Sequence, residues 1–278
     1  MKDFFNYLAP FAPDYSGAAS LFYQCGAFVV ICDPGGCSGN VCGYDEKRFY
    51  DDAGTIFSAA LRDLDTIFGK DNLLIDKIVK AVGKNKYDFI ALVGTPVTSV
   101  IATDLNALSI PIEKATGLPV ICADTTGMEY YDAGKRKAIK ALEKKFGDRY
   151  KDNYIIPLDS FPDENELNVL VDKVTASAKS QNDKIIIVHT DISAKLLKDK
   201  LLSKGFVNID TASWFTSEKN LNQDVIHFDD EEDFSAFCQN YDVFVGDELF
   251  FPCLKNFSGI KIPFKHMAVS GDLFINEN

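Results

Sequence analysis

The feature of this 278-residue chain that most restricts its fold is the recurrence of short apolar runs, each followed by a longer amphipathic stretch. Such a run reads as a strand buried on both faces of a parallel sheet, and the amphipathic stretch as the helix that carries the chain back over it. The runs are Ala27 to Cys32, Phe89 to Val93, Pro119 to Ala123, Ile185 to His189 and Val243 to Val245. Between them, Ser58 to Thr66, Asn72 to Val82, Val97 to Leu108, Ala133 to Phe146, Glu164 to Ala178 and Ser193 to Leu202 read as helices. Gly83, Gly117, Gly147 and Gly205 stand where C-caps are expected. The expected class is α/β, with parallel sheets flanked by helices. A chain of 278 residues, 46% of them hydrophobic, supplies two ordinary cores. The lysine- and aspartate-rich stretch Lys144 to Asn153 is the best linker candidate, which sets the expected domains at 1-150 and 151-278.

A formal charge of -12 opposes binding to nucleic acid or to an anionic membrane surface, since both present like charge. The start, Met1 to Phe5, lacks the apolar core of a signal peptide, and no run approaches the roughly 20 apolar residues that span a bilayer. A cytoplasmic location is the expectation. The acidic run Asp229 to Asp233 reads as a helix N-terminus rather than a binding tail.

Seven cysteines, an odd number without an export signal, leave thiol, metal and core roles rather than a disulfide framework. Four of them, Cys25, Cys32, Cys37 and Cys42, crowd into one short stretch. Cys32 ends an expected strand, and Asp33-Pro34-Gly35-Gly36-Cys37-Ser38-Gly39 forms a turn leading towards a helix. Open α/β sheets place their sites at such carboxyl-end crevices. Cys37 is therefore expected at the crevice, with glycines beside it that let a bulky inorganic cluster approach the backbone N–H groups. A helix N-terminus would favour its thiolate. Gly35, Gly36 and Ser38 are the cofactor-binding candidates, and Cys37, Cys42, Cys32 and Cys25 the metal-ligand candidates. Cys25 and Cys32 also fit buried positions flanking a strand, where cysteine acts as a small hydrophobe; core packing is the reading of Cys122 and Cys253.

The chain has no GxxxxGK[ST] and no GxGxxG, so ATP hydrolysis would have to come from another protein. His189, His227 and His266 form no local metal or triad motif and read as structural, with His189 at a strand end.

Several ordered segments resemble the nitrogenase component 1 family, which takes in nitrogenase subunits, cofactor-assembly homologues and dark tetrapyrrole reductases. Gly35-Gly36-Cys37, followed by Arg48-Phe49, resembles the family's glycine-cysteine turn. The segment from Asp65 through Phe68-Gly69 to Leu73 resembles its acidic-x-x-phenylalanine-glycine segment. Val93 to Leu105 is similar to the strand and helix bearing the family pattern TTC…IGDDL, and Leu118 to Ile121 with Thr125 to Met128 to the following PV…TPGF stretch. In the second half, Ile187 to Asp191, Tyr241 to Gly246 and Ile262-Pro263-Phe264 resemble strand ends of a later family domain.

The resemblance implies two Rossmann-like domains, lacking one domain of the full-length family, and an oxidoreductase subunit that binds an iron-sulfur cluster at a subunit interface. The partners implied are a second copy or a related subunit, in a homodimer or heterodimer, and a nitrogenase iron-protein-like ATPase as electron donor. Only Cys37 matches the family's usual three cysteines; Pro96 stands at the third position and Ala12 or Pro13 near the first. A smaller 4Fe-4S cluster, recruiting Cys42 or Cys32, is the expectation. The region that holds the nitrogenase active-site cofactor has no match, so dinitrogen reduction is not expected. The alternative is a non-catalytic scaffold binding a tetrapyrrole, metallocofactor or small metabolite.

Overall fold

A computed structural model describes residues 6–8, 13–42, 54–61, 71–83, 86–153, 164–214, 225–228 and 230–265. Arg48-Phe49, the Phe68-Gly69 segment, Asp229 and His266 lie outside them. The chain forms two compact units that change over between Ile156 and Pro157, with Met1–Phe11 grouped with the second.

In the first unit four strands, β1 (Phe28–Ile31), β2 (Thr55–Ser58), β3 (Ile90–Val93) and β4 (Val120–Ala123), form a wholly parallel sheet in the order β2-β1-β3-β4. Its described helices are α1 (Asp14–Gln24), α2 (Gly36–Cys42), α3 (Asp71–Val82), α4 (Pro96–Val100), α5 (Leu105–Thr116) and α6 (Tyr131–Phe146). Leu74 and Ile78 of α3 and Leu105, Leu108 and Ile112 of α5 cover one sheet face, packing on Phe28, Val30, Ile90 and Leu92. On the other face α1 lies against β1, β3 and α6. Every residue of α1 from Asp14 to Tyr23 is buried, so it has no polar stripe and gives no amphipathic signal in the sequence. Asp14 anchors it. The carboxylate, fully buried, accepts hydrogen bonds from Thr126 N (2.9 Å), Gly127 N (2.7 Å) and Lys137 Nζ (3.2 Å).

The helix expected over Val97 to Leu108 is two helices. The chain turns left-handed at Ala102 (φ 52°), and Asp104 then starts α5 by accepting from Ala107 N at 3.0 Å. The left-handed conformation costs an L-residue roughly 1–2 kcal/mol and glycine nothing, part of which glycine's looser unfolded chain takes back. Ala102→Gly should therefore raise stability by about 0.5–1 kcal/mol, read as a higher urea midpoint at unchanged slope; an unchanged or lower midpoint would show that Ala102 is not strained.

Ser58, expected to open a helix, closes β2 instead: it pairs with Ile31. Nor is Lys144 to Asn153 a free linker. It ends α6 and continues as a 3-10 helix, Gly147–Asn153, whose buried Tyr150 packs edge-on to Phe89 and Phe146 and donates to Asp88 Oδ2 at 3.1 Å.

Among the described residues, the second unit has five parallel strands, β5 (Lys184–Val188), β6 (Asn208–Ser213), β7 (Val225–His227), β8 (Val243–Gly246) and β9 (Ile260–Pro263), in the order β7-β6-β5-β8-β9. Helices α7 (Glu164–Ser177) and α8 (Asp191–Ser203) place Leu167, Leu170, Val174, Leu197 and Leu201 against Ile185, Ile187, Val243 and Val245. Elsewhere in this unit Trp214, Phe234, Phe244 and Phe250 pack ring against ring, bringing in α9 (Glu231–Cys238) and the 3-10 helix Glu248–Leu254. The acidic run does open a helix: Asp230 caps α9 through Glu232 N and Asp233 N. Glu231 is buried, and its carboxylate accepts the N–H groups of Asn6, Tyr7 and Leu8 at 2.7–2.9 Å, which ties this segment to the unit.

Candidate functional site

Beyond Ile31 the chain leaves β1 through Cys32-Asp33-Pro34-Gly35 and enters α2 at Gly36. Gly35 makes the turn at φ 127°, a conformation that side chains oppose. Asp33 holds the turn from inside. Its carboxylate is fully buried and accepts from Ser38 N (2.7 Å), Ser38 Oγ (2.8 Å) and, across to β2, Ser58 Oγ (2.8 Å). Its carbonyl accepts from Leu61 N at 2.8 Å.

Cys37 is the second residue of α2 and is half-buried at the carboxyl end of the sheet. The hydroxyls of Tyr15, from α1, and Thr95, from the end of β3, flank its thiol. Thr95 is itself fixed: it donates to Cys32 O at 2.8 Å and exchanges hydrogen bonds with Thr98 in the capping box of α4. Asn40 Nδ2 donates to Tyr15 Oη at 3.0 Å. Burial and then the Asp33 carboxylate push the Cys37 pKa up, against the smaller pull of the Tyr15 and Thr95 hydroxyls. This runs against the expectation that a helix start would favour the thiolate: burial first, and then the Asp33 carboxylate, outweigh a helix of seven residues.

Gly35, Gly36 and Gly39 are exposed, and a side chain placed at any of them would meet nothing within 4 Å. Of the other candidates, Ser38 has both N–H and hydroxyl committed to Asp33, so it offers no donor to a cofactor. Cys42 is exposed at the far end of α2. Five positions along a helix turn it about 140° from Cys37, with a rise of about 7.5 Å. Cys32 points into the core formed with Leu74, Ile78 and Leu105, where burial first, then Cys122 and Asp33, push its thiol up to about 12. Cys25 follows α1 at the amino end of the sheet; burial, then Asp88, push it up to about 12. The four-residue strand β1, roughly 13 Å long, stands between it and Cys37. The structure thus places Cys37 and the glycines together, leaves Cys42 nearby on another face, and separates Cys32 and Cys25. Tyr15 and Thr95 had no signal in local sequence, since separate elements bring them to Cys37.

Among the described residues, no group of three or more His, Cys, Asp or Glu side chains could hold a metal ion within one chain. No described helix is long and apolar enough to cross a membrane. In the second unit His189 is structural: Nε2 donates to Lys265 O at 2.9 Å, Nδ1 accepts from Thr190 N at 2.8 Å, and the ring stacks on Phe264 at 4.1 Å.

A family model described as Nitrogenase component 1 type Oxidoreductase matches residues 14–199, more than half of the 278. The chain belongs to that family. In this nitrogenase component 1 type chain the matched region takes in Tyr15, Asp33, Cys37, the glycine cradle and Thr95, and runs into α8 of the second unit. Similar solved structures include nitrogenase Cp1 at pH 5 (16% identity, TM-score 0.44) and at pH 6.5 (17%, TM-score 0.42). The alignments cover 89% of this chain in both cases, but 45% and 43% of those chains. The chain therefore spans less than half the length of these nitrogenase structures. The holo D-mandelate dehydrogenase of Rhodotorula graminis is also similar, at 9% identity and TM-score 0.23, over 82% of this chain and 71% of that one. No curated protein matches the chain.

Proposed function

We propose that this nitrogenase component 1 type chain is a redox subunit whose Cys37 holds an iron-sulfur cluster, of the 4Fe-4S type, at an interface with a second subunit. The observation that carries the reading is the half-buried thiol at the carboxyl end of β1, directly after the exposed Gly35 and Gly36, where a side chain would meet nothing within 4 Å. The donor set suits a shared site: one chain offers one inward thiol, and Cys42, exposed on the same helix, reaches the interface from another face. The cluster, when bound, supplies one-electron transfer. The protein's own groups position it: Gly35 and Gly36 admit it, Asp33 fixes the turn, and the Tyr15 hydroxyl lies beside the Cys37 sulfur, while the Thr95 hydroxyl proton is committed to the Cys32 carbonyl. Electrons come, on this reading, from an ATP-dependent reductase of the nitrogenase iron-protein kind, in the cytoplasm.

Anaerobic protein incubated with iron and sulfide should turn brown and give a paramagnetic signal on reduction. Cys37→Ala should lose at least nine-tenths of the bound iron while keeping its circular dichroism; Cys25→Ala and Cys32→Ala should keep theirs. Wild-type protein that binds no iron would sink the reading.

A second reading, a non-catalytic scaffold for a tetrapyrrole, metallocofactor or small metabolite, is favoured by the lack, among described residues, of any three-residue ligand group. It predicts a colourless protein whose melting temperature rises with added tetrapyrrole.

A further inference from the structure

We infer that residues 6–8 are a clasp across two elements of the second unit, so that release of the amino-terminal segment loosens the aromatic cluster around Trp214, a role independent of any cofactor at Cys37. The segment is held at two points. Glu231, the first residue of α9, is buried, and its carboxylate accepts the N–H groups of Asn6 (2.9 Å), Tyr7 (2.9 Å) and Leu8 (2.7 Å). Lys255, which ends the 3-10 helix Glu248–Leu254, donates from Nζ to Tyr7 Oη at 2.7 Å and lies 4.6 Å from the centre of the Tyr7 ring. Leu8 itself is buried.

The two elements that anchor the clasp are also the ones that supply rings around Trp214. Phe234 of α9 packs on the indole at 5.3 Å, Phe250 of the 3-10 helix at 6.3 Å, and the two phenyl rings on each other at 5.6 Å. Glu231 and Phe234 are three positions apart, hence on one face of α9. A buried carboxylate is tolerated when its charge is hydrogen-bonded. Once Asn6, Tyr7 and Leu8 withdraw their N–H groups, Glu231 must take up water, which requires the first turn of α9 to open, and Phe234 moves with that turn. Clasp and cluster therefore open together, and anything that captures the amino-terminal segment is felt at Trp214.

Trp214 is the one tryptophan of the chain, so its fluorescence reports on the cluster in the full-length protein. Each variant is read twice, by hydrogen exchange of the amides of residues 6–8 and by acrylamide quenching of Trp214. Leu8→Ala weakens the clasp from the segment's own side, and should speed exchange of those amides about tenfold or more while making Trp214 easier to quench. Lys255→Ala should do both to a smaller degree, and Glu231→Gln, which removes the charge that the three N–H groups hold, to a larger one. Amides of β1 and β3 in the first unit should keep their wild-type rates in all three. Faster exchange of residues 6–8 with unchanged quenching in Leu8→Ala and Lys255→Ala would show that clasp and cluster open separately, and overturns the coupling. Exchange at the unfolded-chain rate in wild type, or rates unmoved by all three substitutions, overturns the clasp itself. Should Leu8→Ala fail to fold, Lys255→Ala decides by the same two readings.

Discussion

Gly134→Ala is expected to cost about 3 kcal/mol or more and to lower the melting temperature by about 6–12 °C. Helices α1 and α6 meet backbone to backbone. A Cβ at Gly134 would lie 1.6 Å from the carbonyl oxygen of Asp14, and one at Gly17 would lie 2.0 Å from that of Tyr131. Neither contact can be relieved by a side chain turning away, because the obstacle is main chain. The helices must separate, and that pulls the buried Asp14 carboxylate from Thr126 N, Gly127 N and Lys137 Nζ. Lys137 would also lose part of the pairing that holds its pKa up: burial works against its charge, and hydrogen bonds to Glu129 and Asp14 outweigh that. Gly39→Ala is the matched control. Its Cβ meets nothing within 4 Å inside α2, so the same chemical change should be neutral or stabilising by up to about 1 kcal/mol. Thermal melts of the two variants check this; a Gly134→Ala melt within 2 °C or so of wild type would show that the helices are not in backbone contact.

Acid should weaken the second unit through His189. This imidazole is 2% exposed and its pKa is lowered to about 4, mainly by burial, with the Lys265 carbonyl pulling weakly the other way. An unfolded chain takes up the proton near pH 6.5, the folded unit only near pH 4. Between those values the unfolded state holds more protons, so stability falls as pH falls. The contribution of the neutral, stacked ring is full above about pH 6.5 and lost by about pH 4, up to about 3 kcal/mol. Urea midpoints at pH 7, 5.5 and 4.5 should therefore drop more steeply in wild type than in His189→Gln, which has no proton to take up. Parallel slopes for the two proteins would show that His189 is not held neutral by the fold.

How much of this was legible beforehand differs by element. The five most apolar strands stand in the sequence as β1, β3, β4, β5 and β8: four of them are central strands, buried on both faces and so apolar throughout, and β4, although an edge strand, still buries Val120, Ile121 and Ala123. The strands left unread, β2, β6, β7 and β9, are edge strands or, for β6, alternate buried and exposed residues in Asn-Ile-Asp-Thr-Ala-Ser. Pairing to a neighbour makes them strands, and pairing is not a local property. Helix α1 escaped for the opposite reason, being buried on all sides.

Gly35-Gly36-Cys37 stood out as a candidate turn because its residues are contiguous and follow an apolar strand. The cysteines nearest to it in sequence could not be sorted the same way. Cys32 lies five positions before Cys37 and Cys42 five after, yet one faces the core and the other solvent. Pleat and helix rotation decide which way a thiol points, and the ends of β1 decide that Cys25 is a strand's length away. The amino-acid sequence by itself determined the α/β class, the apolar centres of both sheets and the glycine-cysteine turn, because each depends on contiguous residues. Only the tertiary structure decided that Tyr15, Asp33 and Thr95 surround Cys37 and that the buried carboxylate works against its ionisation. Those residues come from three elements, and burial and charge act through space rather than along the chain.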